Sequence, residues 1–185
     1  MPPLIPKFPP GKHYGLLAEF AGVKPLYRAC ERVRDEGFTR WDAHTPFPVH
    51  GLDGAMGLKP TKLPFVVLIM GLSGAAGGML LQWWVSTQAY ALVISGKPLF
   101  SWPAFVPVTF ELGVLFGALG ALFGMLAFNQ LPTLWHPLFH SDRFAKVTDD
   151  GFFISIESWD PKFDADRTGE FLRKIGATHV ELIDS

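Results

Sequence analysis

The chain has 185 residues, which leaves room for one small soluble domain beside its long apolar stretches and no more. The 16 Lys and Arg against 17 Asp and Glu leave a formal charge of -1, so no electrostatic footprint for nucleic acid is present. Cys30 is the single cysteine, which excludes an intrachain disulfide, a Cys-x-x-Cys-His haem attachment and any four-cysteine iron–sulfur or zinc site.

Residues 1–12 are Pro-rich and predict an extended tail. They contain no charged n-region followed by an apolar h-region, so no secretory signal is expected and the N-terminus is expected in the cytoplasm. His13 to Phe20 alternates, with Tyr14, Leu16, Ala18 and Phe20 on one face and Gly15, Leu17 and Glu19 on the other. That period predicts a strand. Pro25 then suits the first position of a helix. Leu26, Ala29, Cys30 and Val33 make its i, i+3, i+4, i+7 apolar stripe, and Gly37 suits its C-terminus. Phe38 to His44 predicts a second strand. Residues 13–50 thus form a first β-α-β half. Thr45 to Gly51, with prolines at 46 and 48, predicts an irregular link leading to the apolar stretches.

No charged residue lies between Lys62 and Lys97, and Glu111 is the only one between Lys97 and Asp142. A hydrocarbon core about 30 Å thick is crossed by about 20 helical residues. Two spans are predicted within residues 63–128, at about 63–85 and 103–128, as helices because lipid offers the backbone no partners. Lys59 and Lys62 precede the first span, Arg143 and Lys146 follow the second, and the loop carries only Lys97. The positive-inside rule therefore puts both termini in the cytoplasm. Trp83, Trp84, Tyr90 and Trp102 predict the aromatic belt at the outer interface, and Trp135 with His136 the inner one.

Residues 129–150 return the chain. Residues 151–185 then repeat the first half: a strand at Gly151–Glu157, a helix capped by Asp164 or Asp166 with Phe171, Leu172 and Ile175 apolar and Gly176 at its end, and a strand at Thr178–Ile183. The fold class expected is an α+β membrane protein, a two-helix transmembrane hairpin inserted between the two β-α-β halves of a cytoplasmic ferredoxin-like domain. Two spans bring the second half back to the side of the first, which one span would not.

Glu111 is the sharpest candidate for function. It falls about two turns inside the second span. A carboxylate there must face protein or water, or be protonated. It reads as a proton-path residue or an intramembrane polar contact to another subunit; a boundary as late as Thr109 would make it an interfacial glutamate instead. Gly71, Gly74, Gly77 and Gly78 in the first span, and Gly113, Gly117, Gly120 and Gly124 in the second, form small-residue faces for helix packing. His13, His44, His50, His136, His140 and His179 offer no pair within a span, and Pro137 breaks any shared helical face between His136 and His140, so no haem is expected on this chain. Cys30 reads as core. Asp160, Asp164, Asp166 and Glu170 read as a solvated acidic loop, because their spacing fits no calcium loop. No Walker loop, dinucleotide fingerprint or catalytic triad occurs.

Tyr14–Phe20, Thr45–Leu52, Leu99–Leu112 and His136–Phe139 together resemble the ActD subunit of bacterial alternative complex III, over essentially the whole chain after residue 12. The resemblance implies a small, non-catalytic integral subunit of a menaquinol-oxidising respiratory or photosynthetic complex in the bacterial inner membrane. It implies multi-span quinol-oxidising partner subunits, with iron–sulfur clusters and c-type haems on other chains and no cofactor here. Glu111 matches the family's Phe-Glu-Leu position. A self-standing membrane sensor or metallochaperone is the alternative. It would need an exposed ligand cluster that the lone Cys30 does not supply. An independent enzyme has no nucleophile–base pair to support it.

Overall fold

The computed structural model describes residues 13–184; the proline-rich segment 1–12, expected as an extended tail, lies outside the described residues. The elements in chain order are β1 (His13–Phe20), α1 (Val23–Glu36), β2 (Trp41–His44), α2 (Leu52–Met56), α3 (Leu63–Trp84), α4 (Trp102–Phe128), β3 (Phe152–Glu157), α5 (Ala165–Lys174) and β4 (His179–Asp184). A π-helical turn, Val85–Ala89, follows α3, and 3-10 turns occupy Pro137–His140 and Arg143–Thr148. The chain divides into two compact units, residues 60–132 and the remainder on either side.

In the unit built from both chain ends, four strands form one sheet in the order β2-β3-β1-β4, and every neighbouring pair is antiparallel. Each helical crossover therefore joins two strands that are not neighbours: β3 lies between β1 and β2, and β1 lies between β3 and β4. The central strand β1 pairs along both edges, Leu17 opposite Ser155 on one side and Leu16 opposite Leu182 on the other.

One sheet face carries α1 and α5. The stripe Leu26, Ala29, Cys30 and Val33 is fully buried against Leu16, Ala18, Ile154 and Ile156. Helix α1 begins two residues before Pro25, with Gly22 at its N-cap. A proline in the first turn costs little, because those N–H groups have no intrahelical acceptor. It ends at Gly37, whose φ of 87° places it in the left-handed region and whose N–H bonds Arg34 O at 2.9 Å. In α5 the N-cap is Asp164, accepting from Arg167 N at 2.9 Å. Leu172 is its most buried side chain, with Phe171 and Ile175 packed at the margin.

The other face departs from expectation. It is covered by the return segment, whose Leu138 and Phe144 bury against Tyr14, Leu17, Phe153 and Ile183. Residues 137–148 are thus a packed layer as well as part of a link. Arg143 Nη1 donates to the Glu19 carboxylate of β1 at 3.0 Å, and the Ser141 hydroxyl donates to Glu181 of β4. Tyr14 belongs to this face, not to that of Leu16. The pairing of β1 with β4 shifts register between His13 and Gly15, and that bulge turns Tyr14 over. Gly15 is required there, because a Cβ would sit 2.1 Å from Ile156 O.

Strand β2 is also shorter than expected, beginning at Trp41 instead of Phe38. The N–H groups of Thr39 and Arg40 are taken by the Asp160 carboxylate, each at 2.7 Å, so they do not enter the sheet ladder. The short helix α2 was not expected; Arg34 Nη1 of α1 donates to the carbonyls of Gly54 and Ala55 at 3.1 and 3.2 Å.

Candidate subunit-contact surface of the hairpin

The second unit consists of α3, α4 and the segment between them. With the π turn included, Leu63–Ala89 and Trp102–Phe128 are each 27 residues long, and both are apolar enough to cross a membrane by length and composition. A core helix of the same composition would be buried on most sides. Here few residues are: Phe65, Ile69 and Leu80 of α3 and Phe110, Val114 and Phe123 of α4 all stand exposed. Pro64 and Pro103 sit at the two helix starts, where a missing N–H costs nothing.

Where α3 and α4 meet, the contact is made by glycine. A Cβ at Gly74 would lie 2.4 Å from Leu112 O, and one at Gly78 3.0 Å from the Leu112 side chain. Gly71 and Gly113 face each other, each with its would-be Cβ 3.5 Å from the other's carbonyl oxygen, and Gly117 lies beside Gly71. Gly120 holds Met70 and Gly124 holds Leu63. Seven of the eight candidate glycines therefore lie in the helix–helix contact, and at Gly74, Gly120 and Gly124 a Cβ would come within 3.0 Å of the facing helix. Gly77 does not, since a Cβ there meets nothing within 4 Å. Beside the seam, Gly71, Ala75, Val106, Phe110, Gly113 and Gly117 help line an open apolar groove of about 560 Å³.

Gln82 was not singled out from sequence. Its Nε2 donates to the carbonyls of Gly78 and Phe105, both at 3.1 Å, and to the Thr109 hydroxyl at 3.4 Å. A single amide thus bridges the helices where the glycine contact ends. Its signal was visible as the one carboxamide within α3.

Glu111 is exposed on α4 and makes no hydrogen bond or ion pair among the described residues. It lies nine residues past Trp102, about 14 Å along the helix axis. The glycine contact leaves it outside.

The histidines lie in the other unit or its links, and among the described residues no group of three or more His, Cys, Asp or Glu could hold a metal ion. His44 Nε2 pairs with Ser155 Oγ at 2.9 Å, and His136 Nε2 with the Tyr14 hydroxyl at 3.4 Å. Burial holds both imidazoles below their ordinary range, against the opposing pull of Asp42. Burial raises the Tyr14 phenol and the Glu157 carboxyl above theirs and pushes the Cys30 thiol up to about 12, as suits a core residue. Asp160 is buried, not part of a solvated acidic loop. Burial acts against its charge, yet the N–H groups of Lys162, Thr39 and Arg40 together hold the carboxyl below its usual range.

A family model described as the ActD subunit of alternative complex III matches residues 14–182. The chain belongs to the ActD family. No curated protein matches it. Membership makes this chain a subunit of alternative complex III, and with two helices able to span a bilayer it indicates a membrane location. For an ActD subunit the exposed faces of α3 and α4, Glu111 among them, are the surfaces that remain for lipid and neighbouring chains.

Proposed function

We propose that this ActD subunit is a structural and assembly component of alternative complex III, without a redox centre or catalytic step of its own. The observation that carries this is the hairpin: two long apolar helices packed on each other through glycine, with most of their remaining surface apolar and exposed. Such a surface is stable only against lipid or other membrane segments. Menaquinol oxidation, iron–sulfur clusters and c-type haems belong in this reading to partner subunits, and the electrons never pass through this chain. The absence of a haem-ligating pair within either span agrees with that assignment.

The soluble unit, in this reading, is a ferredoxin-like domain into which the hairpin is inserted. The strand order β2-β3-β1-β4 with two crossover helices supports it. Both termini lie on the cytoplasmic side of the bacterial inner membrane, as Lys59 and Lys62 before α3 and Arg143 and Lys146 after α4 favour.

The test is purification through a tag on this chain in mild detergent. Recovery of a multi-subunit assembly with c-type haem absorbance is expected, and deletion of the chain should lower the yield of assembled complex while haem incorporation into individual subunits continues. Recovery of the chain alone, without haem-bearing partners, would overturn the proposal.

A further inference from the structure

We propose that the outer face of α4 docks a membrane-spanning helix from another subunit, and that this helix presents an arginine or lysine to Glu111. The inference rests on the membrane-subunit reading above and adds the identity of the contact.

The helical phase of α4 is the first ground. Phe105, Thr109, Leu112, Gly113, Phe116 and Gly120 turn toward α3. At 100° per residue, Glu111 falls on the side opposite the centre of that set. Ala104, Val108, Leu115, Ala118 and Leu122 share its side at steps of three and four, and all are exposed. The hairpin therefore cannot shelter the carboxylate by its own packing, and lipid does not solvate it.

The second ground is that this side of α4 holds acceptors without donors. Pro107 lies inside the helix and has no N–H for the carbonyl four residues back, that of Pro103. Glu111 stands one turn beyond Pro107, and helical side chains lean toward the N-terminus. The carboxylate and the carbonyl that lost its usual donor thus lie on one flank of α4. A carboxylate only accepts hydrogen bonds, whereas guanidinium and ammonium groups only donate them.

The third ground is that the chain cannot supply the cation itself. Lys97 is the only Lys or Arg between Lys62 and Arg143, and among the described residues it forms no ion pair with Glu111. In this inference a different polypeptide supplies the complementary charge. Ala104 and Ala118 flank the acid with small side chains, so a second helix can approach closely.

The experiment places a photo-cross-linking amino acid at Val108 or Leu115 in the intact, haem-containing complex. A cross-link to one other polypeptide is expected, mapping by mass spectrometry to a membrane-spanning segment with Arg or Lys within a turn of the linked residue. Glu111→Gln should reduce that cross-link about tenfold or more, because it strands the partner's charge. Glu111→Arg combined with conversion of the mapped cation to Glu should restore it. Cross-links to lipid alone, a mapped segment without a cation, or an undiminished cross-link in Glu111→Leu would each overturn the inference. An intact haem-bearing complex with lipid-only cross-links would sink the docking while leaving the subunit assignment standing; failure to recover the complex would sink both.

Discussion

The Asp160 carboxylate accepts hydrogen bonds from both the backbone N–H and the hydroxyl of Thr39, at 2.7 and 3.0 Å. The same carboxylate takes Arg40 N at 2.7 Å and Lys162 N at 2.8 Å. Thr39 precedes the hairpin in sequence and Asp160 follows it, so one buried side chain fastens the two β-α-β segments. Asp160→Ala would orphan these donors and should destabilise the soluble unit by about 3 kcal/mol. Thermal unfolding of the full chain in detergent checks this, with Asp160→Asn falling between the two. Because the carboxyl is held below the usual value near 3.8, its stabilisation is complete above that pH and disappears as pH falls through the folded-state value.

The imidazoles beneath the sheet predict an acid-sensitive layer at a higher pH. His44 and His136 are depressed by burial, so the fold favours their neutral forms. Their contribution is present above pH 6.5, the ordinary imidazole value, and is lost as pH falls through the folded values. Glu157, whose carboxyl burial raises, acts in the opposite sense, favouring the fold as it gains its proton. The midpoint of unfolding should therefore fall between about pH 7.5 and about pH 5.5. The double variant His44→Gln with His136→Gln should show a flatter profile over that interval.

Within the hairpin, the glycine seam makes opposite predictions for two positions three residues apart. Gly74→Val places side-chain carbons where Leu112 O already stands, whereas Gly77→Val enters open space. The same geometry supplies a reporter. A Cβ at Gly113 lies 3.4 Å from that of Ala75, within disulfide reach. In a Cys30→Ser background, Ala75→Cys with Gly113→Cys should oxidise readily. Adding Gly74→Val should suppress that bond, and adding Gly77→Val should not.

Gln82→Leu removes an amide whose two N–H protons are shared among three acceptors. A loss of about 1 kcal/mol of hairpin stability is expected, since polar contacts between helices in lipid are worth roughly that. Slower formation of the same engineered disulfide at 75 and 113 would register it. An unchanged rate would mean that the glycine contact alone sets the helix pair.

What was legible in the sequence was local and periodic. Leu26, Ala29, Cys30 and Val33 repeat at the helical period, and their burial follows from it. Gly71, Gly74 and Gly78 share the side of α3 that meets α4, and Gly77 lies off it. Tyr14 was misplaced because the register shift beside it arises in the pairing with β4, far along the chain. The layer of Leu138 and Phe144 was missed because 3-10 turns impose no apolar repeat. Asp160 looked like a solvent loop residue because its partners, Thr39 and Arg40, are more than a hundred residues away.

The strand order has a temporal consequence. β1 and β2 leave the ribosome first, yet they are not neighbours, and the slot between them belongs to β3. At translation speeds of about 5–20 residues per second, the roughly one hundred residues from β2 to β3 take on the order of 5–20 s to emerge. During that interval the nascent chain holds two strands with no common edge, while both apolar helices pass through the exit tunnel. Closure of the sheet is thereby scheduled after both apolar helices are made, and a chain halted before β3 leaves an open domain for quality-control proteases to find.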